Sequence, residues 1–80
     1  MTDDPDREIL LLAAAIEAHP ESAVLLNNLA AANLKRENYA AARDAAEKGI
    51  AIAPELSQLR RNLSAALEAL SHADRQAASR

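Results

Sequence analysis

Cysteine is absent from this 80-residue sequence, and glycine and aromatic residues occur once each, as Gly49 and Tyr39. Without cysteine there are no disulfides, thiolate nucleophiles or thiolate metal ligands. A single glycine leaves no glycine-rich loop of the kind that holds phosphate groups. The net charge of −3 is unsuited to a nucleic-acid-binding surface, which needs concentrated basic charge. These absences exclude several function classes before any motif is considered.

The apolar residues that are present are mostly helix formers. Half of the chain is apolar, and of these residues 21 are Ala and 12 are Leu. Because both favour helix and β-branched residues are few, an all-α fold is predicted. The apolar run from Ile9 to Ile16 is far shorter than the roughly 20 residues of a membrane span, and the N-terminus is acidic where a secretory signal is basic. The composition therefore predicts a cytoplasmic protein without a membrane segment.

Residues that could carry chemistry do not form a recognisable constellation. His19 and His72 are far apart in the sequence, and neither has neighbours at metal-ligand spacing. Ser22 and Ser57 fit helix caps better than nucleophiles, because no base lies at a suitable place. The acidic cluster within residues 3–8 lacks a cation-binding loop and is better explained by helix capping. We therefore expect no enzymatic activity, no cofactor and no metal site.

Prolines and capping residues divide the chain into four predicted helices. The predicted ranges are 5–18, 23–36, 39–53 and 58–71, with caps at Asp4, Ser22, Asn38 and Ser57. The short loops between them make neighbouring helices antiparallel. We expect one helical domain over residues 7–71, preceded by an acidic segment, 1–6, and followed by a polar tail, 72–80, that frays.

The sequence also repeats itself at an offset of 34 residues. Eight pairs are identical: Ile16/Ile50, Pro20/Pro54, Glu21/Glu55, Leu25/Leu59, Asn28/Asn62, Leu29/Leu63, Ala31/Ala65 and Ala32/Ala66. They cover the end of one helix, a proline turn and most of the next helix. A period near 34 with two helices per unit is typical of helical repeats that stack on their neighbours.

The unit from Ala23 to Leu56 carries large, small and turn residues at spaced positions. They are Leu26, Leu29, Ala30, Tyr39, Ala42, Gly49, Ile50 and Pro54. In these residues the unit resembles a tetratricopeptide repeat, whose small residues let two helices cross closely. Three positions depart from the family pattern: Asn33, Glu37 and Ala46 replace an aromatic residue, a glycine and a larger apolar residue. The resemblance implies an α-solenoid of about two repeats, one complete over 23–56 with a half-repeat on either side.

The resemblance also implies a binding groove on the concave face, which the first helix of each repeat lines. The groove residues would be Asn27, Asn28, Ala31, Lys35, Gln58, Arg61 and Asn62. Asn28 and Asn62 lie one repeat apart, and their amides could pair with the backbone of an extended peptide. Lys35 and Arg61 could hold a carboxylate. The plainer interpretation is that these are solvated polar residues. A complete carboxylate clamp is not expected, because Gln58 and Asn62 stand where it needs Lys and Arg.

The repeat frame makes the first helix the second half of a preceding repeat, without a partner on one side. The helix is apolar nearly all round, which is typical of a buried helix. Its residues Ile9, Leu10, Leu12 and Ile16 form a possible association surface. The chain could be cut from a longer array, could self-associate or could be covered by a partner; a leucine-rich terminal helix is the plainest explanation.

Together these features predict a non-catalytic protein–protein interaction scaffold that binds a peptide or protein segment on its concave face. One alternative is a self-assembling structural module that forms homo-oligomers through the first helix. Another is an accessory repeat region of a larger protein. No nucleic-acid or membrane partner is expected.

Overall fold

The protein is all-helical over the part that the computed structural model describes, the backbone of residues 5–78 and the side chains of residues 6–73. The helices are α1 (Pro5–Ala18), α2 (Ala23–Lys35), α3 (Tyr39–Ile52) and α4 (Ser57–Ala78). Within these residues there is no strand, which confirms the predicted all-α class. Each helix packs against the next, and α2 also packs against α4. The body measures 44 × 34 × 18 Å, so its short dimension is about two helix diameters.

Three of the four helices begin where the sequence predicts. α1 covers the predicted range, and its predicted cap, Asp4, lies outside the described residues. The hydroxyl of Ser22 accepts a hydrogen bond from the N–H of Leu25 at 3.3 Å and so caps α2 as predicted. Asn38 precedes α3, but its side chain makes no capping hydrogen bond. The cap of α3 predicted at Asn38 is therefore right in position and wrong in mechanism.

Helix α4 differs from the prediction at both ends. Ser57 is its first helical residue, so it is not the residue before the helix, where a cap stands. The helix also continues past Ser71 to Ala78, so the end predicted near Ser71 is wrong and the tail 72–80 is helical through residue 78. The physical reason is that residues 72–78 include Ala, Arg and Gln, which favour helix, and contain neither Gly nor Pro to end it.

The turn between α2 and α3 places Glu37 in the left-handed backbone region, with φ of 63°. The N–H of Glu37 donates to the carbonyl of Leu34 at 3.0 Å, and the N–H of Asn38 donates to the carbonyl of Asn33 at 2.9 Å. These two bonds form a Schellman motif, in which the left-handed residue is usually glycine. Glu37 therefore occupies a glycine-type backbone position, at the point where the family pattern has glycine.

The 34-residue offset recurs in the backbone hydrogen bonds of the two proline turns. The N–H of His19 donates to the carbonyl of Ala15 at 2.9 Å, and the N–H of Ala53 donates to the carbonyl of Gly49 at 2.8 Å. The N–H of Ser22 donates to the carbonyl of His19, and the N–H of Leu56 donates to the carbonyl of Ala53, both at 3.1 Å. In each pair of bonds, both donor and acceptor of the second lie 34 residues after those of the first. The two proline turns therefore share one hydrogen-bonding pattern, and by the same offset α3 is equivalent to α1 and α4 to α2.

Small side chains form most of the interior. The buried residues, one of them a glycine, are Ala23, Leu26, Ala30, Ala32, Asn33, Ala42, Ala45, Ala46, Gly49, Leu59 and Ala66. Ala30, Ala45 and Ala46 form the centre, against which Leu29 and Leu63 pack. Side chains this small let helix axes approach closely. The described side chains of α1 contribute none of these buried residues.

A glycine and a leucine are in close contact where α3 packs against α4. Gly49 lies against Leu59, whose side chain is 0% exposed. A Cβ placed on Gly49 would lie 2.5 Å from Cδ2 of Leu59, well inside van der Waals contact. The single glycine of the chain is therefore what allows α3 to seat Leu59, because any side chain there would displace it.

Candidate functional site

One stripe of α2 is largely exposed to solvent. Val24, Asn28 and Lys35 are exposed, and Ala31 between them is half-buried. The spacing i, i+4, i+7 and i+11 puts these four residues on one helical face. Asn28, Ala31 and Lys35 belong to the predicted groove, so the groove prediction selects the face of α2 that solvent reaches.

An amide cluster joins this region of α2 to α4. The side-chain N–H of Asn62 donates to Oδ1 of Asn27 at 2.8 Å, and Nδ2 of Asn27 donates to Oε1 of Gln58 at 3.4 Å. Asn27 thus uses both its donor and its acceptor to hold the two helices together. Three predicted groove residues, Asn27, Gln58 and Asn62, are therefore brought together by direct hydrogen bonds.

The two asparagines predicted to act as a pair have different surroundings. Asn62 is half-buried and bonded to Asn27, whereas Asn28 is exposed. Asn28 and Asn62 are equivalent in the repeat. Helix α2 packs beside Asn62, but no described helix takes the equivalent place beside Asn28. Asn28 therefore offers its whole amide to solvent, while Asn62 has one N–H bonded to Asn27 and keeps its second N–H and its carbonyl oxygen.

The predicted cationic residues also differ. The ammonium group of Lys35 lies 3.8 Å from Oε1 of Glu8 on α1, and next to it Arg36 pairs with Asp6. Lys35 is therefore partly neutralised by α1, and the acidic segment is joined to the helical domain through Asp6. Arg61 is exposed on the outer part of α4, so it is the more available cation for a carboxylate.

Half of the residues predicted to hold the repeat together lie in the interior. Leu26, Ala30, Ala42 and Gly49 are buried, Leu29, Tyr39 and Ile50 are half-buried, and Pro54 is exposed in its turn. The predicted association surface on α1 is less uniform. Leu10 is exposed, while Ile9, Leu12 and Ile16 are half-buried.

Leu11 is strongly exposed as well, although the prediction did not include it. The repeat offset could have identified it, because Leu11 is equivalent to Ala45. No described helix covers Leu11 in the way that α2 covers Ala45.

A groove of about 670 Å³ between α1 and α3 was not predicted. Residues of α2, including Leu26 and Leu29, form its floor, because α1 and α3 do not touch each other. Asp44 and Lys48 of α3 contribute its charges. Their spacing of four residues places them on one helical face, but the sequence carries no sign that α1 would stand away from α3.

Comparison of the chain with protein-family models, with curated proteins and with solved structures finds no match. Along the described residues, no helix combines the length and apolar character needed to cross a membrane. The side chains that the structure describes bring no three His, Asp or Glu residues together at metal-binding distance. Function must therefore be inferred from the surfaces of α1, α2 and α4.

Proposed function

We propose that this chain is a non-catalytic scaffold that binds an extended segment of another protein along α2 and α4. The observation that carries the proposal is the Asn27–Asn62 hydrogen bond of 2.8 Å. It holds two repeat-equivalent helices side by side and so aligns their solvent-facing residues. This arrangement supports a tetratricopeptide-like solenoid with the first helix of each repeat on the binding face.

The chemistry of this face suits a peptide backbone. An extended peptide presents alternating N–H and C=O groups, and the exposed amide of Asn28 provides both donors and an acceptor. Gln58 keeps its N–H₂ group for a ligand, because its carbonyl oxygen is the acceptor from Asn27. Arg61 adds an exposed cation for an acidic side chain or a terminal carboxylate, and Val24 adds an apolar contact.

The test begins with selection of binders from a library of unstructured peptides displayed on phage. The dissociation constant of a selected synthetic peptide is then measured by fluorescence anisotropy. Asn28→Ala should weaken binding about three- to tenfold, since a net hydrogen bond contributes about 0.5–1.5 kcal/mol. Asn28 is preferred to Asn62 for this purpose, because truncation of Asn62 also removes the bond between α2 and α4.

The matched control is Glu47→Ala, which truncates an exposed residue on α3. It should leave the dissociation constant unchanged. Equal weakening by both variants, or full affinity in Asn28→Ala, would contradict binding at the α2–α4 face. Arg61→Ala tests a second contact, since it should weaken the binding only of peptides that carry a carboxylate.

A further inference from the structure

The outer faces of α1 and α4 each expose a leucine at a position whose repeat equivalent is buried. Leu11 on α1 is 62% exposed, whereas Ala45, its equivalent on α3, is 4% exposed. Leu67 on α4 is 46% exposed, whereas Asn33, its equivalent on α2, is 5% exposed. The two positions that become buried between α2 and α3 are therefore open at opposite ends of the molecule.

We propose that a second copy of this chain covers these faces, with α4 of one copy packing against α1 of the next. The internal contact between α2 and α3 supplies the geometry, because α4 is equivalent to α2 and α1 is equivalent to α3. The assembly would thus continue an interface that already exists within each chain. The inference rests on the structural repeat and does not require that the chain binds a peptide.

The equivalent faces carry apolar residues on both sides. The face of α2 with Leu26, Leu29, Ala30 and Asn33 corresponds on α4 to Arg60, Leu63, Ser64 and Leu67. The face of α3 with Ala42, Ala45 and Ala46 corresponds on α1 to Glu8, Leu11 and Leu12. Two leucines therefore stand on each side of the proposed contact. The guanidinium of Arg60 donates to the carbonyl of Pro54, which turns its charge toward the turn.

A polar contact is reproduced as well. Within the chain, Asn62 of α4 donates to Asn27 of α2. In the 34-residue repeat Asn27 is equivalent to Arg61, and Asn62 is equivalent to Asn28. Stacking would therefore place Arg61 of one copy beside Asn28 of the next. A guanidinium donates and an amide oxygen accepts, so the two groups are complementary. Both side chains are exposed in the single chain.

The contact should be weaker than the internal one. Ala30 and Ala42 are both 0% exposed, and their equivalents are Ser64 and Glu8. A longer, charged side chain at this crossing keeps the helices farther apart than alanine does. Because the two faces differ, the contact is heterologous and generates an open chain of copies or a closed ring.

Sedimentation velocity of the purified chain tests the proposal over roughly 1 μM to 1 mM, the range of weak association. The wild-type mass should rise beyond that of a dimer. Leu11→Glu and Leu67→Glu each spoil one face, and because both side chains are exposed the helical circular dichroism should be unchanged. Each variant alone should be a monomer. An equimolar mixture should form a dimer and nothing larger, because one intact α4 face and one intact α1 face remain.

The control is Ile52→Glu, which places the same charge on an exposed apolar residue of α3, outside both faces, and should associate like the wild type. Symmetric pairing of α1 with α1 would leave Leu67→Glu dimeric, and that result overturns the proposal. A monomeric wild type at 1 mM, or a variant mixture that stays monomeric, also overturns it and leaves a different protein as the occupant of these faces.

Discussion

The contact between α1 and α2 and the contact between α3 and α4 are built on the same turn, yet they are packed differently. In the second, Gly49 has no side chain and Leu59 is fully buried against it. In the first, the equivalent residues are Ala15 and Leu25, and Leu25 is only half-buried. One methyl group at the helix crossing therefore accompanies a large difference in burial.

The contact between α1 and α2 and the contact between α3 and α4 also differ in the residues at the end away from the proline turn. The first contact has the ion pairs Asp6–Arg36 and Glu8–Lys35, and the equivalent residues in the second are Ala40, Leu70, Ala42 and Ala69. Exposed ion pairs contribute only about 0–1 kcal/mol each, whereas of the four apolar equivalents Ala42 is buried and Ala69 and Leu70 are half-buried. Two equivalent contacts can therefore share a backbone turn and still hold their helices with unequal strength, α1 being the weaker.

The largest expected effect comes from the equivalent leucines. Leu59→Ala should lower the free energy of unfolding by about 2–5 kcal/mol, because it leaves a cavity at a fully buried site. Leu25→Ala should cost only about 1–2 kcal/mol, since part of its surface is already in water. Urea unfolding followed by circular dichroism measures both. Equal losses would mean that the two contacts are packed alike.

A smaller effect is expected from added volume at another equivalent pair. Ala42→Leu should cost about 1–3 kcal/mol, because the residue is fully buried and nothing can move aside easily. At the equivalent position Glu8→Leu should cost about 1 kcal/mol or less, because it removes only the partly exposed ion pair with Lys35. Thermal unfolding compares the two variants. A melt of Ala42→Leu that matches the wild type would place the tight crossing elsewhere.

The smallest effect concerns the ion pairs. Lys35→Ala should lower the unfolding free energy by about 0–1 kcal/mol, and most of the difference should vanish at 1 M salt, where the screening length is about 3 Å. Arg43→Ala on α3 is the control, since Arg43 pairs with its sequence neighbour Asp44 and joins no two helices. If Lys35→Ala lost as much at high salt as at low salt, its role would be packing and not charge.

The sequence predicts the helices well because their starts are marked locally. Pro20, Ser22 and Pro54 act on the residues next to them, and alanine-rich stretches need no further signal. The predicted end of α4 near Ser71 is wrong, because a polar composition does not end a helix when no residue there breaks it. Periodicity likewise selects the exposed stripe of α2, since a helical face follows from spacing alone.

The partners of the site residues could not be predicted in the same way. The hydrogen bond between Asn27 and Asn62 depends on how α2 and α4 are rotated toward each other. The ion pair of Lys35 with Glu8 depends on the distance between α1 and α2. Both are properties of packing between helices, which no spacing within one helix determines. Glu37 is an intermediate case, because the family pattern pointed to a glycine-type position that the backbone then adopts.

The order of helix contacts described above has a consequence for folding kinetics. Every contact joins helices that are adjacent in the sequence or separated by one helix. Chains dominated by such local contacts have low contact order and fold in microseconds to milliseconds. A nucleus formed by α3 and α4, with their close glycine contact, would need only a short loop to close. Helix α1 would then add last, and its unfolding would be the first local opening of the native state.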